Sequence, residues 1–362
     1  MEPEVRHKPV RYYEIDALRF IAAIVVVLYH LTYRGYHADN LSPVAYPGLG
    51  DVFKYGFLGV ELFFIISGYV MLMSAQGKTI GQFFTSRVTR LYPAYWVATT
   101  LTFIVVRLFG PHVHELGWSP IIDAPVKGYF YNLTMLQTFL GINNIDGVAW
   151  TLAIEIYFYF WIAVMIAFGW LKHLLPVLVT WLAFCAFSGP VVNSNLLTTV
   201  LFTRFAPFFI AGMTFFLLQT NQAARWKLYT LLGVSFLLCL RSARTIVNEG
   251  IVSYHEGFSI LVAGGLITLF FVLFLLIAYR KLTVPHSKWV AWAGFLCYPI
   301  YLTHHNIGYV VLQRLGGKVD KYVLLIGIIT LVLLLAYLLH EFVERRGSKL
   351  LNRWLQRLLA RF

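Results

Sequence analysis

The sequence predicts an all-α polytopic membrane protein of about ten transmembrane helices, and three observations carry that expectation. Hydrophobic residues fill 59% of the 362 positions and mean hydropathy is +0.71. Charged residues fill only 12%, where soluble domains carry about a quarter. Apolar runs long enough to cross a bilayer recur throughout, and ten are expected to span: about 15–33, 56–76, 88–108, 148–169, 171–189, 196–218, 226–242, 257–279, 290–312 and 322–343. Little chain is left for a soluble catalytic domain, so any chemistry is expected inside the bundle.

The formal charge of +13 would suit nucleic acid, but its placement argues for membrane topology. With the amino terminus in the cytoplasm, eighteen Lys and Arg fall on that side and nine on the other. That is the positive-inside bias, and it puts both termini in the cytoplasm. Residues 1–345 are expected to form one transmembrane domain. The basic tail 346–362, with apolar residues at helical spacing, is expected to lie along the inner leaflet, with lipid rather than nucleic acid as its partner. Cys185, Cys239 and Cys297 fall in separate apolar runs with no ligand spacing, so neither a disulfide nor a metal is implied. The first span carries charge at its start and no cleavage pattern follows it, so it is expected to be retained.

That first span, DALRFIAAIVVVLYH, threads Asp16, Arg19 and His30 through apolar sequence. At about 100° per residue, eleven steps bring His30 back to the face of Arg19, displaced by roughly 16 Å. Ionisable groups in hydrocarbon cost about 2.5–3.5 kcal/mol each on insertion scales, so the stripe reads as the wall of a polar cavity. The alternative is a snorkelling Arg and a His that bonds a neighbouring helix. The loop 34–55, with Asp39 and Asp51, is a candidate rim. The second span, GFLGVELFFIISGY, places Glu61 near one surface, and Gly59 and Gly68 suit close helix packing. In FFTSRVTRLYPAYW, Arg87 and Arg90 are three residues apart on one helical face, a fork for phosphate oxygens or ordinary headgroup-facing charge. Pro93 predicts a kink there or a helix that starts there.

Residues 109–147 contain YFYNLTMLQTFLG, too short to span and therefore re-entrant or interfacial; Asn132 with Thr134 makes a glycosylation sequon. WTLAIEIYFY puts Glu155 inside the fourth span. Span five carries little chemistry. Arg204 in span six needs an anion, either Glu61, Glu155 or a ligand. Residues 241–257, with Arg244, Glu249, His255 and Glu256, are expected to form a loop between two scaffold spans. Span nine, GFLCYPIYLTHH, is interrupted by Pro299 and carries adjacent His304 and His305, whose side chains on a regular helix would point about 100° apart. Span ten ends HEFVERR. A proton-coupled transporter, or a polysaccharide flippase or polymerase, fits the intramembrane charges too, although no internal repeat supports an inverted-repeat transporter.

The motifs together resemble integral-membrane acyltransferase family 3, over almost the whole chain. The resemblance rests on Asp16, Arg19 and His30 with ten residues between the last two; on GFLGVELFFIISGY; on Arg87-x-x-Arg90 before Tyr92-Pro93; on WTLAIEIYFY; and on YPIYLTHH with a late Glu-Arg. Glu61 stands where many members have Asp, and Arg346 where a Pro is common. The resemblance implies a cytoplasmic acyl-CoA donor, acetyl-CoA above all, and a hydroxyl acceptor on an outward-facing glycan or lipid-linked sugar. It also implies a multi-pass protein of the bacterial inner membrane. On this reading Arg87 and Arg90, with Arg204 and Tyr92, hold the donor, and His30, Arg19, Asp16, Glu155 and Glu61 form the catalytic set. His30 acts as general base or carries the acyl group as acyl-imidazole. Glu155 or Glu61 would fix its tautomer, and Asp16 would pair with Arg19. Some members add a soluble domain that completes transfer; this chain is expected to complete it in the bundle. Oligomeric state stays open, a homo-oligomer included.

Overall fold

A backbone facing lipid must satisfy its own hydrogen bonds, so each apolar run becomes a helix. In the computed structural model, residues 11–38, 41–115, 117–188 and 196–359 are described. Arg6, Lys8 and Arg361 of the charge count and Asp39 of the expected rim lie outside them. Among the described residues every regular element is helical apart from an isolated bridge, Gly316 to Val319. Eight helices among the described residues are long and apolar enough to cross a membrane. The principal helices are α1 (Tyr13–Tyr29), α2 (Gly59–Ala75), α3 (Ile80–Phe109), α4 (Trp150–Ala167), α5 (Leu174–Ser188), α6 (Ala206–Gln219), α7 (Arg225–Tyr254), α8 (Ile260–Ala278), α9 (Lys288–Thr303), α10 (Asn306–Leu315), α11 (Lys321–Leu338) and α12 (Arg345–Leu359).

Four expectations change. Helix α3 runs unbroken through Pro93 and begins at Ile80, because Thr79 and Gln82 form a reciprocal capping box. The expected sixth span shortens to α6, with Arg204 in the turn before it and Pro207 in its first turn. Residues 241–254, expected as loop, continue α7 as helix; Arg204 grips Glu249 with both guanidinium nitrogens (2.9 and 2.6 Å), and Ser242 bonds the Arg204 carbonyl (2.7 Å). The ninth span breaks at His304 and His305 into α9 and α10. The tail helix α12 follows α11 through a π turn, Leu339–Glu344, and packs on α3, with Gly347 against Pro93.

The centre of the bundle is the α2–α6 pair. A Cβ added at Gly68 would lie 2.0 Å from the Phe209 carbonyl oxygen, and one at Gly212 would lie 1.9 Å from that of Ile65. Two backbones in such contact let Phe64, Phe158 and Phe209 stack around them, with ring centroids 4.7 and 4.3 Å apart. Overpacking a close-packed core costs about 1–3 kcal/mol. Gly68→Ala is therefore expected to lower the thermal unfolding midpoint in detergent by several degrees without touching either cavity described below.

The segment 120–147 packs along α3 over much of its length. Phe103 stacks on Tyr129 (4.5 Å), Thr100 bonds the Tyr129 hydroxyl (2.9 Å), the Trp96 indole donates to Leu133 O (2.8 Å), and Tyr92 donates to Thr134 O (2.8 Å). From Phe103 to Tyr92 is about 16 Å along a helix, so the segment runs beside α3 for that distance. Asn132 is buried, with its amide donating to Gly128 O and Asn143 O and its oxygen accepting from Ile145 N–H. The sequon is thus consumed by the fold.

Candidate active site

His30 opens a π turn, His30–Arg34, which widens the helix just where the histidine enters the bundle; such turns gather at functional sites. Its carbonyl accepts from Gly35 N–H and from the Tyr309 hydroxyl (3.1 Å). The ring meets the broken ninth span. Helix α9 ends there because its last carbonyls find a side-chain donor: His304 Nδ1 lies 2.9 Å from Tyr301 O and 3.2 Å from Ile300 O. Carbonyl oxygens only accept, so this nitrogen carries the proton. In neutral His304 the Nε2 is then an acceptor, and His30 Nδ1, 3.0 Å away, donates to it. A neutral His30 so held keeps its lone pair on Nε2, the form a general base or an acyl-accepting nucleophile requires.

His305 completes the cluster. Its ring stands edge-on to that of His30, centroids 4.7 Å apart. Asn306 donates its amide hydrogens to Ile121 O (3.0 Å) and Ile145 O (2.7 Å), which leaves its Oδ1 to accept from His305 Nδ1 (2.6 Å) and Gly147 N–H (3.3 Å). Asp146 Oδ1 is 3.9 Å from the same His305 nitrogen. The segment 120–147 is thereby locked to the histidines. A Cβ at Gly147 would fall 2.3 Å from His305 Cε1, so only glycine fits. Among the described residues no cluster of His, Cys, Asp and Glu is placed to hold a metal ion.

Two cavities flank this cluster. The first is lined by Arg19, Arg87 and Arg90 together with Ser67, Thr151, Glu155, Tyr159, Cys297 and Tyr298. Arg87 bonds Ser86 Oγ (3.3 Å) and Met71 Sδ (3.1 Å) and lies over the Phe83 ring (5.8 Å), and among the described residues none of the three guanidiniums has a carboxylate within ion-pair distance. Glu155 accepts from the Tyr159 hydroxyl (2.7 Å). Three cations around one carboxylate make a site for a polyanion. The second cavity is lined by His30, Arg34, Glu61, Trp150, Arg204, Glu249 and Tyr254. Tyr301 and Val60 border both. The Tyr301 hydroxyl is tethered to Thr151 Oγ1 (2.8 Å) and Val148 O (3.2 Å), so its side chain partitions the two.

The sequence-predicted residues therefore sort into two groups. Arg19 and His30 share a stripe of α1 yet line different cavities, because the stripe is long enough to cross the partition. Among the described residues Asp16 makes no ion pair with Arg19: Arg11 Nε holds its carboxylate (2.6 Å) while Arg11 Nη2 donates to Ala291 O (2.8 Å), stapling α1 to α9 where Gly294 allows close approach. Neither Glu155 nor Glu61 bonds the His30 ring, since His304 occupies that place. Arg204 lines the His30 cavity, away from Arg87 and Arg90, and its partner is Glu249 rather than Glu61 or Glu155. Tyr92 anchors the segment 120–147 and lines neither cavity. The roles of His304 and Tyr301 were hidden because helix periodicity presumes an unbroken helix; Pro299 was the available signal.

The family model for the acyltransferase domain matches residues 12–341. The peptidoglycan O-acetyltransferase OatA of Listeria monocytogenes is 29% identical over 176 residues, 44% of this chain and 25% of that protein. The O-acetyltransferase OatA of Staphylococcus aureus is 31% identical over 170 residues, 42% of this chain and 24% of that one. ORF330 of the Acidianus two-tailed virus is 23% identical over 301 residues, 80% of this chain and 81% of that protein. This chain thus aligns with only about a quarter of each OatA protein. No solved structure matches. With its motifs in order and the family's domain matched along nearly all of its length, the chain belongs to the integral-membrane acyltransferase family.

Proposed function

We propose that this protein is an O-acetyltransferase of a bacterial inner membrane. It takes an acetyl group from cytoplasmic acetyl-CoA in the arginine cavity and delivers it to a hydroxyl of an outward-facing glycan or lipid-linked sugar in the His30 cavity. The observation that carries the reading is the pairing of the two cavities across Tyr301, one lined by guanidiniums that hold no carboxylate among the described residues and the other by a histidine with a free lone pair. The arginine side suits the phosphates of coenzyme A, and the positive-inside bias puts Arg87 and Arg90 on the cytoplasmic side. The OatA relatives, named as O-acetyltransferases, favour acetyl and a sugar acceptor.

In this mechanism Arg87 and Arg90 bind the donor's phosphates, and Arg19, higher on α1, faces the thioester end. Tyr301 must turn aside for the thioester carbonyl to reach His30. His30 Nε2 takes the proton of the acceptor hydroxyl while its oxygen attacks that carbonyl. His304 steadies the imidazolium by accepting the Nδ1 hydrogen. The C–S bond breaks, and the leaving thiolate takes the proton from His30. One ester and one thiol replace one thioester and one hydroxyl.

The test is release of coenzyme A from acetyl-CoA by the purified protein in nanodiscs, with and without crude cell-surface glycan. Release stimulated by glycan, with label appearing in the glycan, is expected. Uptake of a solute into vesicles without thioester consumption would replace this reading with a transporter.

A further inference from the structure

The reaction above makes no use of Glu61. Its side chain lines the His30 cavity, is 3% exposed, and has no hydrogen-bond partner for Oε2 among the described residues. The task of holding the His30 ring has gone to His304. A buried carboxyl oxygen without a donor is costly, and native folds leave few such atoms unless something outside the protein completes them.

We propose that Glu61 and Trp150 form the acceptor subsite for a neutral sugar ring, Glu61 binding a hydroxyl next to the one that His30 deprotonates. The inference rests on the reading that the acceptor occupies this cavity. What the cavity offers defines the ligand. Each of its cations holds a partner: Arg204 grips Glu249 with its two terminal nitrogens while its buried Nε makes no hydrogen bond among the described residues, and Arg34 donates to the Tyr254 hydroxyl (3.0 Å), which also bonds that of Tyr29 (2.5 Å). An ammonium acceptor would meet both guanidiniums on the way to Glu61. As acceptors, a carboxyl oxygen and the imidazole lone pair remain, two groups that suit neighbouring hydroxyls on one ring. A single alcohol satisfies only His30.

Trp150 supplies the third contact. Its indole is 39% exposed although it lies beside a buried cluster, and it packs against Phe205 (centroids 5.7 Å apart) while lining the cavity. An indole with an open side is an amphipathic platform for the C–H face of a pyranose. Its neighbour in sequence, Thr151, tethers Tyr301. The proposed platform and the partition between the cavities therefore share one turn of α4, so a ring resting on Trp150 would lie beside the place where the acetyl group emerges.

The experiment uses the full chain in nanodiscs and compares the wild type with Glu61→Gln and Trp150→Ala. Binding of a panel of soluble mono- and disaccharides is measured by affinity selection and mass spectrometry, and acceptor KM is measured for the best-retained sugar and for 1-hexanol. Acetyl-CoA binding and gel-filtration elution report on folding. The expected result is at least one retained saccharide whose KM rises about 10- to 100-fold in Glu61→Gln, as for loss of a hydrogen bond to a charged group. The KM for 1-hexanol should stay within about twofold, and Trp150→Ala should lose saccharide retention. The proposal is overturned if the wild type retains no saccharide, if both variants retain it equally, or if Glu61→Gln affects sugar and hexanol alike. A wild type that retains sugar through Glu61 yet never consumes thioester would instead sink the acetyl-transfer reading and leave the subsite standing.

Discussion

His30→Ala is expected to lower glycan-stimulated coenzyme A release by about 10²- to 10⁴-fold, the usual contribution of a positioned general base, with acetyl-CoA affinity unchanged because His30 does not line the arginine cavity. The companion variant at His304 makes this a test of geometry rather than of one residue. His304→Leu removes the acceptor of the His30 Nδ1 hydrogen and should reduce kcat with little change in either KM. His304→Gln can present an amide oxygen to the same hydrogen, so it should recover part of the loss. A role confined to ending α9 would lower folding yield in both variants without that kcat pattern. Rapid mixing with acetyl-CoA separates the two chemistries: a burst of coenzyme A release equal to the enzyme present, before glycan is added, marks an acyl-enzyme, and its absence marks a general base.

The membrane spans were legible because lipid imposes one rule on every segment, and the charge clusters were legible because buried ions are costly. What the sequence concealed is local. His30 was visible as an ionisable group in an apolar run, whereas its partner was not, because His304 reaches it only after α9 has ended and its side chain has replaced the missing backbone donors. The same holds for Arg204: its burial announced a need for an anion, but Glu249 meets that need only because α7 continues about three turns beyond its apolar core. Asp16 and Arg19 are three residues apart on one helix and would be natural partners on spacing alone. Arg11 takes the carboxylate because it is also held by the first turn of α9, a contact across the bundle that no local pattern encodes.

The second large effect belongs to the arginines. Replacing both Arg87 and Arg90 with alanine is expected to raise the KM for acetyl-CoA by about 10²-fold or more, since each hydrogen bond from a charged donor to phosphate is worth about 1.5–3 kcal/mol. Each single variant should give about 10-fold. Lysine at either position should recover the charge but not the fork, and so rescue only in part. Acetyl-pantetheine, which lacks the nucleotide phosphates, makes the assignment specific: wild type should use it poorly, and the double variant should use it about as well as wild type does. A double variant equally impaired with both donors would mean that the arginines hold α3 in place rather than the donor. The fold gives reason to expect otherwise, because Arg87 is held by Ser86, Met71 and the Phe83 ring, and among the described residues neither arginine has an ion pair to lose. Removing two cations from a site that also holds Arg19 relieves repulsion among like charges, so the double variant should unfold no earlier than wild type without donor. The stabilisation that acetyl-CoA confers on the wild type should largely disappear, which a thermal shift titration in nanodiscs would measure directly.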